Sequence, residues 1–122
     1  MKLIYVASPY AGDVEQNTEF AKEACRFVME EGHAFFAPHL LYPRVLDDDE
    51  PADRQYALAM GRSFLPKCDE LWVFGKNISA GMREEINEAK QLYMHIRYVS
   101  QQEMAERERP FAERHPFCSM CI

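Results

Sequence analysis

The chain has 122 residues, enough for one folded domain and not for two. Its apolar fraction of 48% is that of a globular protein, and at a formal net charge of −6 no basic patch stands out of the kind that duplex nucleic acid requires. No window approaches ~18 consecutive apolar residues, which excludes a membrane span, and the first residues run into a strand-like segment without a signal-peptide pattern. We therefore expect a cytoplasmic protein with its four cysteines reduced.

Lys2 to Ser8 is short, apolar, β-branched and aromatic, and reads as the first strand of a parallel sheet, ended by Pro9. The loop Pro9-Tyr10-Ala11-Gly12-Asp13 follows at the place where a doubly wound fold puts its ligand, but its single glycine is no dinucleotide fingerprint. Val14 to Gly32 reads as a helix with Phe20, Ala24, Phe27 and Val28 on one face and Gly32 as its C-cap. His33 to Ala37 is the second strand. His39 to Pro43 leads into a loop carrying Asp47-Asp48-Asp49-Glu50, which reads as solvated surface rather than a metal site. Pro51 to Cys68 reads as a long helix with Tyr56, Met60, Phe64 and Leu65 on its apolar face, and Cys25 and Cys68 as core residues.

The run Glu70-Leu71-Trp72-Val73-Phe74-Gly75 reads as a buried strand, and Lys76-Asn77-Ile78 bridges it to an amphipathic helix opening at Ser79-Ala80-Gly81. Met82, Ile86, Ala89 and Tyr93 recur at helical spacing as one apolar stripe. Ser79 can cap this helix, and Gly81 can let a ligand approach the backbone. At about 100° per residue Glu84 points opposite the stripe, whereas Glu85 lies only about 60–80° from its centre. Glu85 is then the half-buried acid of the turn, at the carboxyl end of a strand. A helix-favouring acid in a first turn is the plain alternative. Ile96 to Ser100 reads as the last strand, and Gln101 to Arg114 as a charged helix interrupted at Pro110. The tail 115–122 holds one C-x-x-C pair, Cys118 and Cys121, without the second pair a zinc site needs. The order argues an α/β fold: a doubly wound, mostly parallel sheet of four to five strands with helices on both faces, one domain over 1–114 and a tail.

Two motifs carry a resemblance. Ser79-x-Gly81-x-x-x-Glu85-Ile86-x-x-Ala89, together with Ile4-Tyr5-Val6-Ala7-Ser8-Pro9-Tyr10, resembles the signature of the nucleoside 2-deoxyribosyltransferase family, which includes the 2′-deoxynucleoside 5′-phosphate N-hydrolases. The resemblance spans roughly residues 2–100. It implies a five-stranded sheet, Glu85 as the nucleophile at the sugar's anomeric carbon and Tyr5 as the residue that orients it. It further implies substrate contacts from Ser79, Gly81, Met82, Ser8, Pro9 and Tyr10, no metal and no cofactor, and a homodimer or larger homo-oligomer. A serine at 79, where nucleoside transferases carry Asp, points to the 5′-phosphate branch. The chain departs from the family in the helix before the third strand, where Gly61 or Arg62 stands in place of an acid, leaving the proton donor to the base unassigned.

Chemistry and resemblance agree on the main points. Breaking an N-glycosidic bond builds positive charge at the anomeric carbon, which a sheltered carboxylate can stabilise or attack. Three readings stay open. The first is an N-glycosidase or deoxyribosyltransferase acting on a nucleotide or nucleoside. The second is a binding module that keeps the pocket without turnover. The third is a flavodoxin-like or response-regulator-like domain, which the lack of an acidic cluster after the first strand disfavours.

Overall fold

A computed structural model describes residues 1–106. The 114/115 boundary, the helix beyond Glu106 and the Cys118/Cys121 pair lie outside the described residues. Four parallel strands, β1 (Leu3–Ala7), β2 (Ala34–Phe36), β3 (Glu70–Phe74) and β4 (His95–Val99), form one sheet in the order β2-β1-β3-β4. Five helices connect or follow them: α1 (Val14–Glu30), α2 (Pro38–Leu41), α3 (Pro51–Phe64), α4 (Ala80–Gln91) and α5 (Gln101–Ala105). This is the expected α/β fold, with four strands among the described residues.

Alternation along the central strands divides the core in two. Ile4, Val6, Trp72 and Phe74 meet Ala24, Phe27 and Val28 of α1 and Met104 of α5 on one face. Tyr5, Ala7, Leu71 and Val73 meet Met82, Ile86 and Ala89 of α4 and Leu65 on the other. Tyr5 is thereby committed to the α4 face. The sheet also sets a topological switch point: from β1 the chain crosses to β2 on one side and later returns to β3 on the other. The loops after β1 and β3 diverge there and leave a crevice at the carboxyl ends of the strands.

Helix ends account for most departures from the expected boundaries. Asp13 caps α1 by accepting from the Gln16 amide at 3.1 Å. At the other end of α1 His33 N donates to Val28 O at 3.2 Å and Gly32 N to Met29 O at 2.9 Å, with Gly32 at φ 88°. This is a Schellman cap with glycine in the left-handed position. Helix α4 ends the same way, Met94 N to Ala89 O at 3.0 Å and Tyr93 N to Lys90 O at 3.1 Å. Its left-handed residue, however, is Tyr93 at φ 55°. Tyr93 therefore does not extend the buried stripe of Met82, Ile86 and Ala89: it stands 95% exposed past the helix end.

Two further segments differ from the sequence reading. Pro38, expected only to end a strand, begins the short helix α2, since its fixed φ suits a first helical position. Helix α3 stops at Phe64, and Leu65–Lys67 tighten into a 3-10 turn around Pro66, which cannot continue the ladder. The apolar face expected for α3 is only partly buried. Tyr56 is 65% and Phe64 42% exposed, while Gly61 and Leu65 are buried. The helix leans over the crevice instead of lying flat on the sheet.

The left-handed cap of α4 gives a stability test. A non-glycine residue there costs roughly 1–2 kcal/mol in backbone strain, against some loss of chain entropy on introducing glycine. Tyr93→Gly is expected to stabilise the protein by about 1 kcal/mol, read as a raised midpoint in thermal unfolding. A lowered midpoint would refute the strain at this cap.

Candidate active site

The crevice holds a cavity of about 270 Å³ whose wall draws on the loop after β1, on α2 and the turn after it, on α3 and on the start of α4. Tyr5, Tyr10, Ser79, Gly81 and Glu85 all line it. Five residues chosen from the sequence, up to 80 positions apart by number, thus share one cavity. The other three do not reach its wall. Met82 is buried in the α4 core and contributes its backbone amide, which donates to Ser79 Oγ at 3.2 Å. Ser8 is buried at the end of β1, where its backbone hydrogen-bonds His39. Pro9 turns towards Gly75, near Phe20.

The centre of the site is a pair. The Tyr5 ring is 2% exposed and its hydroxyl hydrogen-bonds the Glu85 carboxylate. Burial drives the Glu85 pKa up to about 7; the Tyr5 hydrogen bond pulls it down and the neighbouring Glu84 pushes it up. The hydrogen bond stabilises the charged form, as a donor to a carboxylate must. Burial and the nearby Glu85 charge raise the Tyr5 pKa far enough that the phenol keeps its proton. The pair is therefore a donor–acceptor unit with the phenol always the donor. Glu84, one residue earlier, is exposed and lies 3.7 Å from Arg62.

Helix α4 opens on this pair. Ser79 has extended backbone angles and caps the helix, so the hydroxyl hydrogen is free to donate while its oxygen accepts from Met82. Nothing lies within 4 Å of where a side chain at Gly81 would begin, and its φ is not in the left-handed region. Local backbone conformation does not demand glycine there; the open cavity beside it gives the approach that a ligand would use.

A family model described as a domain of unknown function, DUF7768, matches residues 2–99. The chain belongs to this family. Among curated proteins none matches it. Among solved structures, the DUF7768 chain is similar to a 2-deoxyribosyltransferase from the psychrotolerant bacterium Bacillus psychrosaccharolyticus. They are 18% identical with a TM-score of 0.67, over 80% of this chain and 72% of that one. It is also similar to a 2-deoxyribosyltransferase from Leishmania mexicana, at 15% identity and a TM-score of 0.54, over 95% of this chain and 72% of that one. At these identities the likeness is one of fold.

The DUF7768 site contains residues that the sequence reading passed over. His39 stacks on Tyr10, ring centroids 5.1 Å apart and 20° from parallel, and burial lowers its pKa, so the ring is neutral. Its place directly after Pro38, at the carboxyl end of β2, was the signal. Tyr42, Arg54 and Arg62 also line the cavity, the arginines from α3. Arg54 and Arg62 are eight residues apart, hence on one helix face, a spacing that the apolar pattern of α3 hid. Of the acidic loop, Asp47 and Asp48 reach the wall. Asp53 of α3 accepts from the Asp47 amide at 2.9 Å, tying loop to helix. Among the described residues no group of three or more His, Cys, Asp or Glu is placed to hold a metal ion, and no helix is long and apolar enough to cross a membrane.

The raised Glu85 pKa links to stability. Its folded value of about 7 lies above the ordinary 4.5, so the native state holds a proton that the unfolded chain releases between those values. The group's contribution is fully present below about pH 4.5 and is lost as pH rises through 7. Glu85→Gln removes the ionisation. It should match wild type in thermal unfolding near pH 4 and exceed it at pH 8, by roughly 1–3 kcal/mol. Parallel pH dependence of the two proteins would contradict the buried carboxylate.

Proposed function

We propose that this protein cleaves the N-glycosidic bond of a 2′-deoxynucleoside 5′-monophosphate, with Glu85 as nucleophile and Tyr5 as the residue that orients it. The observation that carries the reading is the pairing of the buried Tyr5 with the half-buried Glu85, set in a cavity at the switch point of the sheet. A Glu85 oxygen bonds to the anomeric carbon as the carbon–nitrogen bond breaks. The bonding electrons leave with the base, which takes up a proton. Water, or a second base, then displaces Glu85 from the sugar. The fold shared with two 2-deoxyribosyltransferases supports sugar–base chemistry. Ser79 and the free first amides of α4 are suited to the 5′-phosphate, since a helix N-terminus favours anions.

One observation favours a second reading, the uncharged nucleoside. Asp47, Asp48, Asp53, Glu84 and Glu88 line the cavity against only Arg54 and Arg62, and an acidic wall disfavours a dianion. Calorimetric titration with one deoxynucleotide and its nucleoside separates the two. A phosphate site adds charge-assisted hydrogen bonds of roughly 1.5–3 kcal/mol each, so at least about tenfold tighter nucleotide binding is expected. Ser79→Asp should erase the preference. Equal affinities in wild type would transfer the proposal to nucleosides.

Glu85→Ala should abolish release of free base from a deoxynucleotide panel, followed by chromatography, while Glu84→Ala leaves most of it. Similar behaviour of the two variants would remove Glu85 from the mechanism, and a wild type that binds without releasing base would make the protein a binding module. We further propose a homodimer or larger homo-oligomer, supported by the apolar exposure of Tyr56 and Phe64 on α3. Sedimentation should then give a mass of at least twice the 14.3 kDa chain.

A further inference from the structure

Helix α3 carries its backbone across the Tyr5 hydroxyl. A β-carbon built on Gly61 would sit 3.0 Å from that oxygen, closer than ordinary van der Waals contact. Gly61 is the residue of α3 that is buried, and its φ is not in the left-handed region, so neither the turn of the helix nor exposure explains a glycine there. In a helix interior glycine is destabilising relative to alanine. The space it leaves is occupied by one atom, the Tyr5 hydroxyl oxygen.

Ring packing restrains both partners. The Tyr5 ring is packed among Leu65, Leu71 and Met82 and lies 5.5 Å from the Phe36 ring. Phe36 in turn stacks on Phe64 of α3 at 4.1 Å, 3° from parallel. The helix is thus held against β1 and β2 one turn beyond Gly61. A side chain at 61 would push the hydroxyl away from its bond to Glu85.

We propose that Gly61 is a positioning residue for the catalytic pair: bare backbone at this point of α3 leaves the Tyr5 hydroxyl where it holds Glu85. The proposal rests on the reading of Glu85 as nucleophile and adds a steric determinant from a different element.

The titratable and charged groups that line the cavity with Glu85 are Tyr5 and Tyr10 from β1 and its loop, His39 and Tyr42 from α2 and the turn after it, Asp47 and Asp48 from the acidic loop, Asp53, Arg54 and Arg62 from α3, and Glu84 and Glu88 from α4. Apart from Arg62, which is bonded to Gly61 in the chain, only Tyr5 of these lies within 4 Å of a β-carbon at 61. A response of Glu85 to that β-carbon is therefore a response through Tyr5.

The test is a double-mutant cycle of wild type, Gly61→Ala, Tyr5→Phe and the double variant. Three quantities are measured: thermal unfolding, the Glu85 titration midpoint by carboxyl carbon NMR, and base release. Gly61→Ala is expected to lower the unfolding midpoint in wild type, yet to leave or raise it in Tyr5→Phe, where the clashing oxygen is gone and alanine is the better helix former. The Glu85 midpoint should move up in Gly61→Ala, towards its value in Tyr5→Phe, with the double variant matching Tyr5→Phe. Turnover should fall about tenfold in Gly61→Ala with KM little changed, since a small displacement of a reacting group suffices. Additive unfolding shifts, or a Glu85 midpoint that ignores residue 61, would overturn the proposal. Absence of base release in wild type would instead defeat the glycosidase reading, and the unfolding and titration arms would still decide the role of Gly61.

Discussion

Desolvating a carboxylate is the constraint around which this molecule is arranged. Glu85 stands in the second turn of α4, where desolvation raises its pKa to about 7. A buried acid without a donor would simply hold its proton. The one donor supplied to it comes from the centre of the sheet, Tyr5, a residue that β1 presents to the α4 face by strand alternation. The bond between them ties the sheet to the helix and sets the carboxylate's orientation. Strand order, the inward turn of Tyr5 and the capped start of α4 all converge on that bond.

The α3 side of the site follows a different logic. Helix α3 has little buried surface of its own, and the parts that matter are a glycine and the rings of Phe36 and Phe64 that hold it in place. Its two cavity-lining arginines put charge where the sheet supplies none.

Much of this was legible in the residues. The continuous apolar runs of β1 and β3 announce a parallel sheet buried on both faces. Ser79 announces a helix start, and the angular offset of Glu85 from the stripe of Met82, Ile86 and Ala89 marks it as half-buried. What the residues did not disclose lies mostly across elements. Periodicity made Tyr56 and Phe64 core residues because it cannot tell a helix lying on a sheet from one leaning over a crevice. Tyr93 fits the helical spacing but is the left-handed residue of the Schellman turn, which no glycine advertises. The closeness of Gly61 to Tyr5 joins residues 56 positions apart and leaves no trace in either segment. Ser8, Pro9 and Met82 adjoin site residues in the sequence, yet fold into the framework behind them.

The alternation of β1 has a consequence for how the chain can vary. Ile4 and Val6 look into the α1 layer, where they pack against Phe27 and Val28 far from the cavity. Tyr5 and Ala7 look the other way. One pentapeptide thus serves two separate layers, Ile4 and Val6 in one and Leu3, Tyr5 and Ala7 in the other. Drift in the α1 layer can be absorbed by compensating changes in that layer without disturbing the Tyr5–Glu85 pair, so sequence can diverge deeply on one face while the other is held. A fold retained at 18% identity or less is what such a partition permits.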